Sequence, residues 1–189
     1  MTESGTDATG PQGRTVAIIA SDHFEEAELV TPRDELAAQG ATVLVYSQSG
    51  QEIQAVEGDT EKTRKIAVDG AFGDVDVATI DALVVPGGTV NADTIRTDAT
   101  AQQLVTSALE AGKPTAVICH GPWLLVSAGL VEGRRLTSFP SLADDVRNAG
   151  GDWVDEEVVV DGDLITSRNP GDLPAFVGAI ASALSAGRG

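Results

Sequence analysis

The stretch Pro114-Thr-Ala-Val-Ile-Cys-His-Gly-Pro-Trp-Leu-Leu125 decides the fold of this chain. Its first five residues form an apolar run that predicts a buried parallel strand, and Gly121 with Pro122 predicts the first turn of a helix. Cys119 therefore lies at a strand-to-helix turn, where side chains point from the carboxyl end of a sheet toward a crevice. Backbone N–H groups and the helix dipole at such a turn stabilise a thiolate, so Cys119 is a candidate nucleophile.

Cys119 is the only cysteine among 189 residues. A lone cysteine is more often a small buried hydrophobic residue than a nucleophile. Its place at the turn and the adjacent His120 favour the functional interpretation, because reactive thiols need electropositive, accessible surroundings. A single cysteine also excludes an internal disulfide, which suits a reducing compartment, so a cytoplasmic protein is expected.

Apolar runs that predict strands alternate with helical patterns along most of the chain. This order predicts a three-layer α/β sandwich with a mainly parallel central sheet. The helix predicted at 24–39 contains Pro32, which is expected to kink or divide it. The other predicted elements are strands at 15–20, 41–46, 82–85 and 114–118, and helices at 100–111, 142–149 and 173–186. A small hairpin or a loop off the main sheet is predicted at 52–68, and a hairpin at 157–166.

Length and composition limit the classes of protein that this sequence can encode. One domain is expected over residues 14–189, preceded by a disordered tail at residues 1–13 that lacks the apolar region of a signal peptide. No apolar stretch is long enough to span a membrane, so no membrane association is expected. The 29 acidic residues outnumber the 12 lysines and arginines, and a net charge of −17 disfavours nucleic acid as a partner. The acids are scattered, which is typical of a halophilic protein's surface or of an ordinary acidic cytosolic protein.

Segments 21–28, 86–93 and 119–122 are all expected at the crevice above the carboxyl ends of the strands. Glu25 and Glu28 lie three residues apart on one helix face, so either could reach Cys119. A protonated carboxyl can donate a hydrogen bond to a thiolate, whereas an ionised one repels it, so the neighbouring glutamate should have a raised pKa. The alternative is that these acids only favour the start of a helix.

Gly87 and Gly88 follow the strand predicted at 82–85, and glycines there allow close backbone approach. Their N–H groups, with that of His120, are candidates for an oxyanion pocket. No GxGxxG motif follows the first strand, so no dinucleotide fingerprint is present, and neither a cofactor nor a metal is expected.

The chain has two histidines, His23 and His120, and none follows His120. A glutamine amidotransferase triad would need a histidine far downstream of the cysteine, so that activity is disfavoured. The base must be His120, His23 or a carboxylate, and His23 is expected to have no catalytic role.

These segments resemble the ThiJ/PfpI family, and in particular its PfpI-type intracellular proteases, within the class I glutamine amidotransferase-like fold. The resemblance covers the chain from Arg14 to about Leu184. It rests on the motifs Phe24-Glu-Glu-Ala-Glu-Leu29, Ala82-Leu-Val-Val-Pro-Gly-Gly88, Ala116-Val-Ile-Cys-His-Gly-Pro122 and Thr166-Ser-Arg-Asn-Pro170.

The resemblance implies a flavodoxin-like sandwich and a role for each site residue. Cys119 would be the nucleophile, His120 its neighbouring base, and Glu28 the glutamate that hydrogen-bonds the thiol, with Glu25 one turn earlier. Asp93 would orient His120 from an adjacent subunit, although the loop around it carries one extra residue and an aspartate in place of a glutamate.

The resemblance also implies a homo-oligomer, either a dimer or a hexamer built as a trimer of dimers. Members of the family are described as peptidases, as glyoxalases and as deglycases, so the expected substrate is a small carbonyl compound or a peptide. A thiolate in a small crevice suits a compact aldehyde better than a long peptide. Two alternatives stay open: a redox sensor in which Glu28 stabilises a sulfinate at Cys119, and a holdase chaperone.

Overall fold

The computed structural model describes residues 10–186, which form a central sheet with helices on both faces. The helices are α1 (Glu26–Ala38), α2 (Thr89–Ile95), α3 (Ala99–Glu110), α4 (Pro122–Ser127), α5 (Ala143–Asn148) and α6 (Leu173–Ala186). The strands are β1 (Thr15–Ile19), β2 (Phe24–Glu25), β3 (Thr42–Ser47), β4 (Ile53–Glu57), β5 (Glu61–Ile66), β6 (Gly70–Ala71), β7 (Ala82–Val85), β8 (Thr115–Ile118), β9 (Arg135–Leu136), β10 (Asp152–Trp153), β11 (Val158–Asp161) and β12 (Leu164–Ser167).

The central sheet has the order β11-β12-β8-β7-β1-β3-β6, and β11 with β12 is its antiparallel pair. The sequence prediction of an α/β sandwich with a mainly parallel sheet is confirmed. Alternate residues of a strand face opposite layers, so Val16 and Ile18 pack with α1 and α6, while Ala17 and Ile19 pack with α3 and α4. This double burial explains why the central strands are apolar along their whole length.

The predicted helix at 24–39 begins later and is not divided. Phe24 and Glu25 pair with β4 as a short strand, which leaves Glu26 as the first residue of α1. Pro32 lies inside α1 and is buried, as are Leu29 and Leu36 of the same helix, so their packing keeps α1 whole despite the missing N–H. The sequence interpretation missed α2, because a seven-residue helix carries too little periodicity to detect.

The hairpin predicted at 52–68 is present as β4 and β5, which join β2 in a separate three-stranded sheet. Its turn contains Gly58 and Asp59, both with positive φ. The second predicted hairpin, β11 and β12, forms one edge of the central sheet.

Of the segment predicted to be a disordered tail, residues 1–9 lie outside the described residues. Residues 10–13 contact the domain: Pro11 is buried, and the Gly13 N–H donates to the Gly40 carbonyl over 2.9 Å. Among residues 10–186, no helix has the length and apolar character that crossing a membrane would require.

Candidate functional site

Cys119 occupies the turn between β8 and α4, as the sequence predicted. Its φ of 63° is left-handed, a conformation that costs a non-glycine residue on the order of 1–3 kcal/mol. Two backbone hydrogen bonds hold it there: its N–H donates to the Ser167 carbonyl (3.0 Å), and its carbonyl accepts from the Phe139 N–H (2.8 Å). A strained conformation held from both sides is typical of a functional turn.

Glu28 is the carboxyl beside the sulfur. It is fully buried, its Oε2 accepts a hydrogen bond from the Gly87 N–H over 2.7 Å, and its side chain interacts with the Cys119 thiol. Burial raises the pKa of Glu28 from 4.5 to about 8, because water no longer stabilises the charge. The expected glutamate with a raised pKa is therefore Glu28.

The thiol does not have the exposed, low-pKa character expected from the sequence. Cys119 is only 6% exposed. Burial, followed by the negative charge of Glu28 and its hydrogen bond, raises the pKa of the thiol, while the N–H groups of Gly88 and His120 lower it. Because Glu28 keeps its proton below about pH 8, its repulsion is relieved at neutral pH, and thiolate formation depends on that proton.

The sharp turn at Cys119 also brings the next side chain back to the sulfur. His120 Nδ1 lies 3.3 Å from Cys119 Sγ, although the two residues are adjacent in sequence. The imidazole is buried, stacks on Phe139 with centroids 4.6 Å apart, and meets Trp123 edge-on. Burial lowers the pKa of His120, and the charge of Asp59 raises it.

The two glycines have separate roles rather than a shared one. The Gly87 N–H donates to Glu28, so it is not free to stabilise an oxyanion as expected. A Cβ at Gly87 would lie 2.6 Å from the Cys119 Cβ, which explains the need for glycine. Gly88 has φ of 88°, and its N–H points to the sulfur together with that of His120. Gly88 and His120 remain the candidates for the predicted oxyanion pocket.

Glu25 does not face the sulfur. It is 9% exposed, and its two carboxylate oxygens accept the N–H groups of Gly58 and Asp59 at 3.1 and 3.2 Å. Of the two glutamates that could have reached Cys119, Glu25 is therefore the one that anchors the β4–β5 turn.

Asp93 lies exposed on α2, and within residues 10–186 its side chain forms no hydrogen bond or ion pair. Its predicted contact with His120 across a subunit interface stays a prediction. The His23 side chain forms no hydrogen bond or ion pair within residues 10–186. Its backbone N–H donates to the Gln54 carbonyl, its φ of 62° belongs to the loop before β2, and its carbonyl lies against Gly88.

Sequence reasoning missed four neighbours of His120: Asp59, Thr89, Trp123 and Phe139. Thr89 Oγ1 lies 3.5 Å from His120 Nε2, and the Thr89 N–H donates to Asp59 Oδ1 over 2.7 Å. The Gly58-Asp59 pair was a detectable turn signal, but nothing in the sequence shows which distant residue this turn contacts. Within the described residues, no group of three His, Cys, Asp or Glu side chains could hold a metal ion.

A groove of about 940 Å³ adjoins the site between α1 and the hairpin. Its lining includes Glu25, Val30, Glu57, Arg64 and Pro170, and does not include Cys119. The groove therefore lies on the outer side of the Glu25 anchor.

Known proteins resemble this chain over most of its length. A deglycase of Pyrococcus abyssi is 44% identical over 162 residues, which is 86% of this chain and 94% of the relative. The protein/nucleic acid deglycase 2 of Escherichia coli is 39% identical over 165 residues, covering 86% and 93% of the two chains. The crystal structure of Drosophila melanogaster DJ-1beta superposes with a TM-score of 0.83 at 30% identity, covering 91% of this chain and 90% of that one.

The model of the DJ-1/PfpI family matches residues 14–183, which include every site residue described above. The resemblance seen in the sequence motifs is thus confirmed over nearly the whole domain, and the chain belongs to the DJ-1/PfpI family.

Proposed function

We propose that this protein is a cysteine-dependent enzyme of stress defence that acts on reactive carbonyl groups, such as methylglyoxal or its early adducts with amino groups. The names of the relatives support a deglycase. The observation that carries the proposal is the position of Cys119 Sγ, 3.3 Å from His120 Nδ1 and in contact with the buried carboxyl of Glu28. Peptides are the alternative substrate class.

The site supplies each proton movement that such a reaction needs. The thiol proton passes to His120 Nδ1, and the thiolate is stabilised by protonated Glu28 and by the N–H groups of Gly88 and His120. The sulfur then bonds to the aldehyde carbon, and the carbonyl oxygen takes up the proton held by His120.

Methylglyoxal is converted to lactate without an external oxidant. The hydrogen on the sulfur-bound carbon leaves as a proton, and a proton adds to the neighbouring carbonyl carbon. The hydroxyl proton on the sulfur-bound carbon passes to the neighbouring oxygen, which gives a thioester. Water then breaks the carbon–sulfur bond, releases lactate and restores the thiol. With an adduct of methylglyoxal and an amine, the sulfur displaces the amine: the carbon–sulfur bond forms, the carbon–nitrogen bond breaks, and the amine leaves with the proton held by His120. The same sulfur-bound intermediate then follows the same course.

Replacement of Cys119 by serine tests this proposal. We expect turnover of methylglyoxal to lactate to fall by roughly 1,000-fold or more, because the hydroxyl is a much poorer nucleophile at neutral pH. Circular dichroism checks that the variant is folded. His120→Asn should lose activity as well, whereas His23→Asn is the matched control and should retain it. Lactate formation by Cys119→Ser at the wild-type rate would reject the proposal. If the wild-type protein cleaves an unstructured peptide faster than it converts methylglyoxal, the peptidase alternative is favoured.

A second candidate function, redox sensing, is favoured by the Glu28 carboxyl. The Glu28 Oε1 atom is buried and has no hydrogen-bond partner among the described residues. The carboxyl group that carries this oxygen lies beside the Cys119 sulfur. Two equivalents of peroxide would convert the thiolate to a sulfinate and release two waters, and protonated Glu28 can donate to a sulfinate oxygen. Mass spectrometry should then show two added oxygens on Cys119. Sulfinate formation in a protein that turns over no carbonyl compound would favour the sensor over the enzyme.

We also propose that the protein works as a homo-oligomer, a dimer or a hexamer, in the cytoplasm, and that its acidic surface suits high salt. The family resemblance supports the assembly, and the net charge of −17 supports the salt response. Light scattering should give a multiple of the 19.4 kDa chain mass. Salt should raise the melting temperature by screening repulsion between carboxylates, and a monomer with no salt response would contradict both expectations.

A further inference from the structure

Asp59 is connected to His120 by a short chain of contacts within one subunit. Asp59 Oδ1 accepts a hydrogen bond from the Thr89 N–H over 2.7 Å. Thr89 begins α2, and its Oγ1 lies 3.5 Å from His120 Nε2. Because His120 Nδ1 faces the sulfur, these contacts reach the ring nitrogen on the far side from Cys119.

The turn that carries Asp59 is held in place despite its exposure. The Glu25 carboxylate accepts the N–H groups of both Gly58 and Asp59. Asp59 has φ of 66°, a left-handed conformation that aspartate tolerates better than most residues. The Asp59 carboxylate is therefore presented to Thr89 in a fixed geometry.

Asp59 is also the acid whose charge acts on the His120 ring, where it opposes the effect of burial. The rings packed against His120, Phe139 and Trp123, are uncharged. The other charged side chains nearby are Glu28 at the sulfur, Arg96 against the Trp123 ring and Asp145 at the Trp123 indole N–H. Each of these three reaches His120 only through Cys119 or Trp123.

We propose that Asp59 is a positioning residue for His120 and acts through Thr89 of the same chain; this inference rests on the proposed function. The negative charge near Nε2 favours the tautomer with its proton on Nε2, which donates to Thr89 Oγ1. Nδ1 then presents a lone pair to the Cys119 thiol and accepts its proton. The hairpin thus supplies an orienting acid from within the same chain, whereas Asp93 was expected to act from a neighbouring subunit.

The test is an NMR measurement of the His120 ring in Asp59→Asn. Asparagine keeps the acceptor oxygen and tolerates the left-handed backbone, so the variant removes mainly the charge. We expect the pKa of His120 to fall, because the variant removes the negative charge that opposes the effect of burial. The ring ¹⁵N shifts at pH 8, where the imidazole is neutral, should show a smaller fraction of the tautomer with its proton on Nε2. His23 is the internal reference and should not change.

Three further variants separate positioning from general damage. Thr89→Val should reduce the same tautomer, Thr89→Ser should restore it, and Asp93→Asn should leave His120 unchanged. An unaltered His120 ring in Asp59→Asn, or an equal shift in Asp93→Asn, would overturn the inference. The NMR measurement does not depend on turnover. If Asp59→Asn alters the His120 ring but the wild-type protein converts no carbonyl compound, the proposed function is rejected and the positioning role of Asp59 is retained. In an active protein, the limb of the kcat/KM profile that reports His120 should move to lower pH by the same amount.

Discussion

The site has two parts that use carboxyl groups in opposite ways. The floor consists of Glu28, Gly87 and Cys119, and the rim consists of Glu25, Asp59 and Thr89. In the floor, a fully buried carboxyl keeps its proton and touches the sulfur. In the rim, each carboxylate accepts backbone N–H groups and fixes a loop.

Glu25 and Glu28 lie only three residues apart, so local sequence cannot explain their difference. Glu28 is fully buried and accepts a hydrogen bond from the Gly87 N–H. Glu25 precedes α1 and reaches the turn of the hairpin. The comparison teaches that the chemistry of a carboxyl here follows from its burial and its partners rather than from its place in the motif.

The largest effect should come from filling the floor with one methyl group. Gly87→Ala would place a Cβ 2.6 Å from both the Cys119 Cβ and Glu28 Oε2. We expect a loss of about 2–3 kcal/mol in the free energy of unfolding and a 100-fold or greater loss of kcat/KM from displacement of the reacting groups. Urea denaturation and lactate assays measure the two effects. Gly178→Ala, in α6 with nothing within 4 Å of the added Cβ, is the control; equal behaviour of the two variants would contradict the tight floor.

The pH dependence of the free energy of unfolding of Glu28→Gln should test the buried carboxyl of the floor. The native state keeps the Glu28 proton to about pH 8, whereas the unfolded chain loses it near pH 4.5. The native state therefore binds more protons between these values, and the wild-type free energy of unfolding falls as pH rises through that window. Glutamine does not titrate, so its free energy of unfolding has no such loss. The stability of the variant relative to the wild type should therefore rise by a few kcal/mol between pH 4.5 and 8 and stay constant above pH 8.

The control for this pH series is Glu35→Gln, an exposed position on the same helix. Denaturation at each pH gives the stability difference between variant and wild type. A difference for Glu28→Gln that stays constant from pH 4.5 to 9 would mean that the Glu28 proton is not retained on folding.

Glu25→Gln should have a smaller effect, confined to the rim. The amide keeps one acceptor oxygen but loses the charge that strengthens both hydrogen bonds to the turn. We expect about 1 kcal/mol of destabilisation and faster amide hydrogen exchange at Gly58 and Asp59, with the Cys119 turn unchanged. Equal loss of protection at Cys119 would show that floor and rim are not separate units.

Asp93→Asn should have the smallest effect on the fold. The Asp93 side chain is exposed and has no hydrogen bond or ion pair within residues 10–186. A change within about 0.5 kcal/mol is expected by urea denaturation of the dilute protein. A larger loss that grows with protein concentration would indicate that Asp93 lies in a subunit interface and would add it to the rim.

The parts of the site that the sequence predicted are those set by residues close together in the chain. The apolar run before Cys119 and the glycine and proline after it specify a strand followed by a helix. That pattern alone places the sulfur at the carboxyl edge of the sheet. Spacing alone left Glu25 and Glu28 as alternative partners of Cys119, and the family resemblance favoured Glu28. The structure selects Glu28, since its position on α1 is buried and that of Glu25 faces the hairpin.

The unpredicted parts depend on residues far apart in the chain. Asp59 and Thr89 are 30 residues apart, yet they meet over 2.7 Å. Thr89 also lies 31 residues before His120, and Glu28 lies 59 before Gly87. No local periodicity encodes such contacts, so neither the rim nor the occupation of the Gly87 N–H was detectable.

The sequence by itself determined the order of strands and helices, the buried character of the sheet and the position of Cys119 at a strand end. These follow from the period of apolar residues and from the backbone preferences of glycine and proline. The tertiary structure alone decided which carboxyl keeps its proton and which anchors a loop. It also decided that the thiol is largely buried, with Cys119 only 6% exposed. Desolvation and hydrogen bonding depend on every atom packed around a group, and folding brings those atoms from distant parts of the chain.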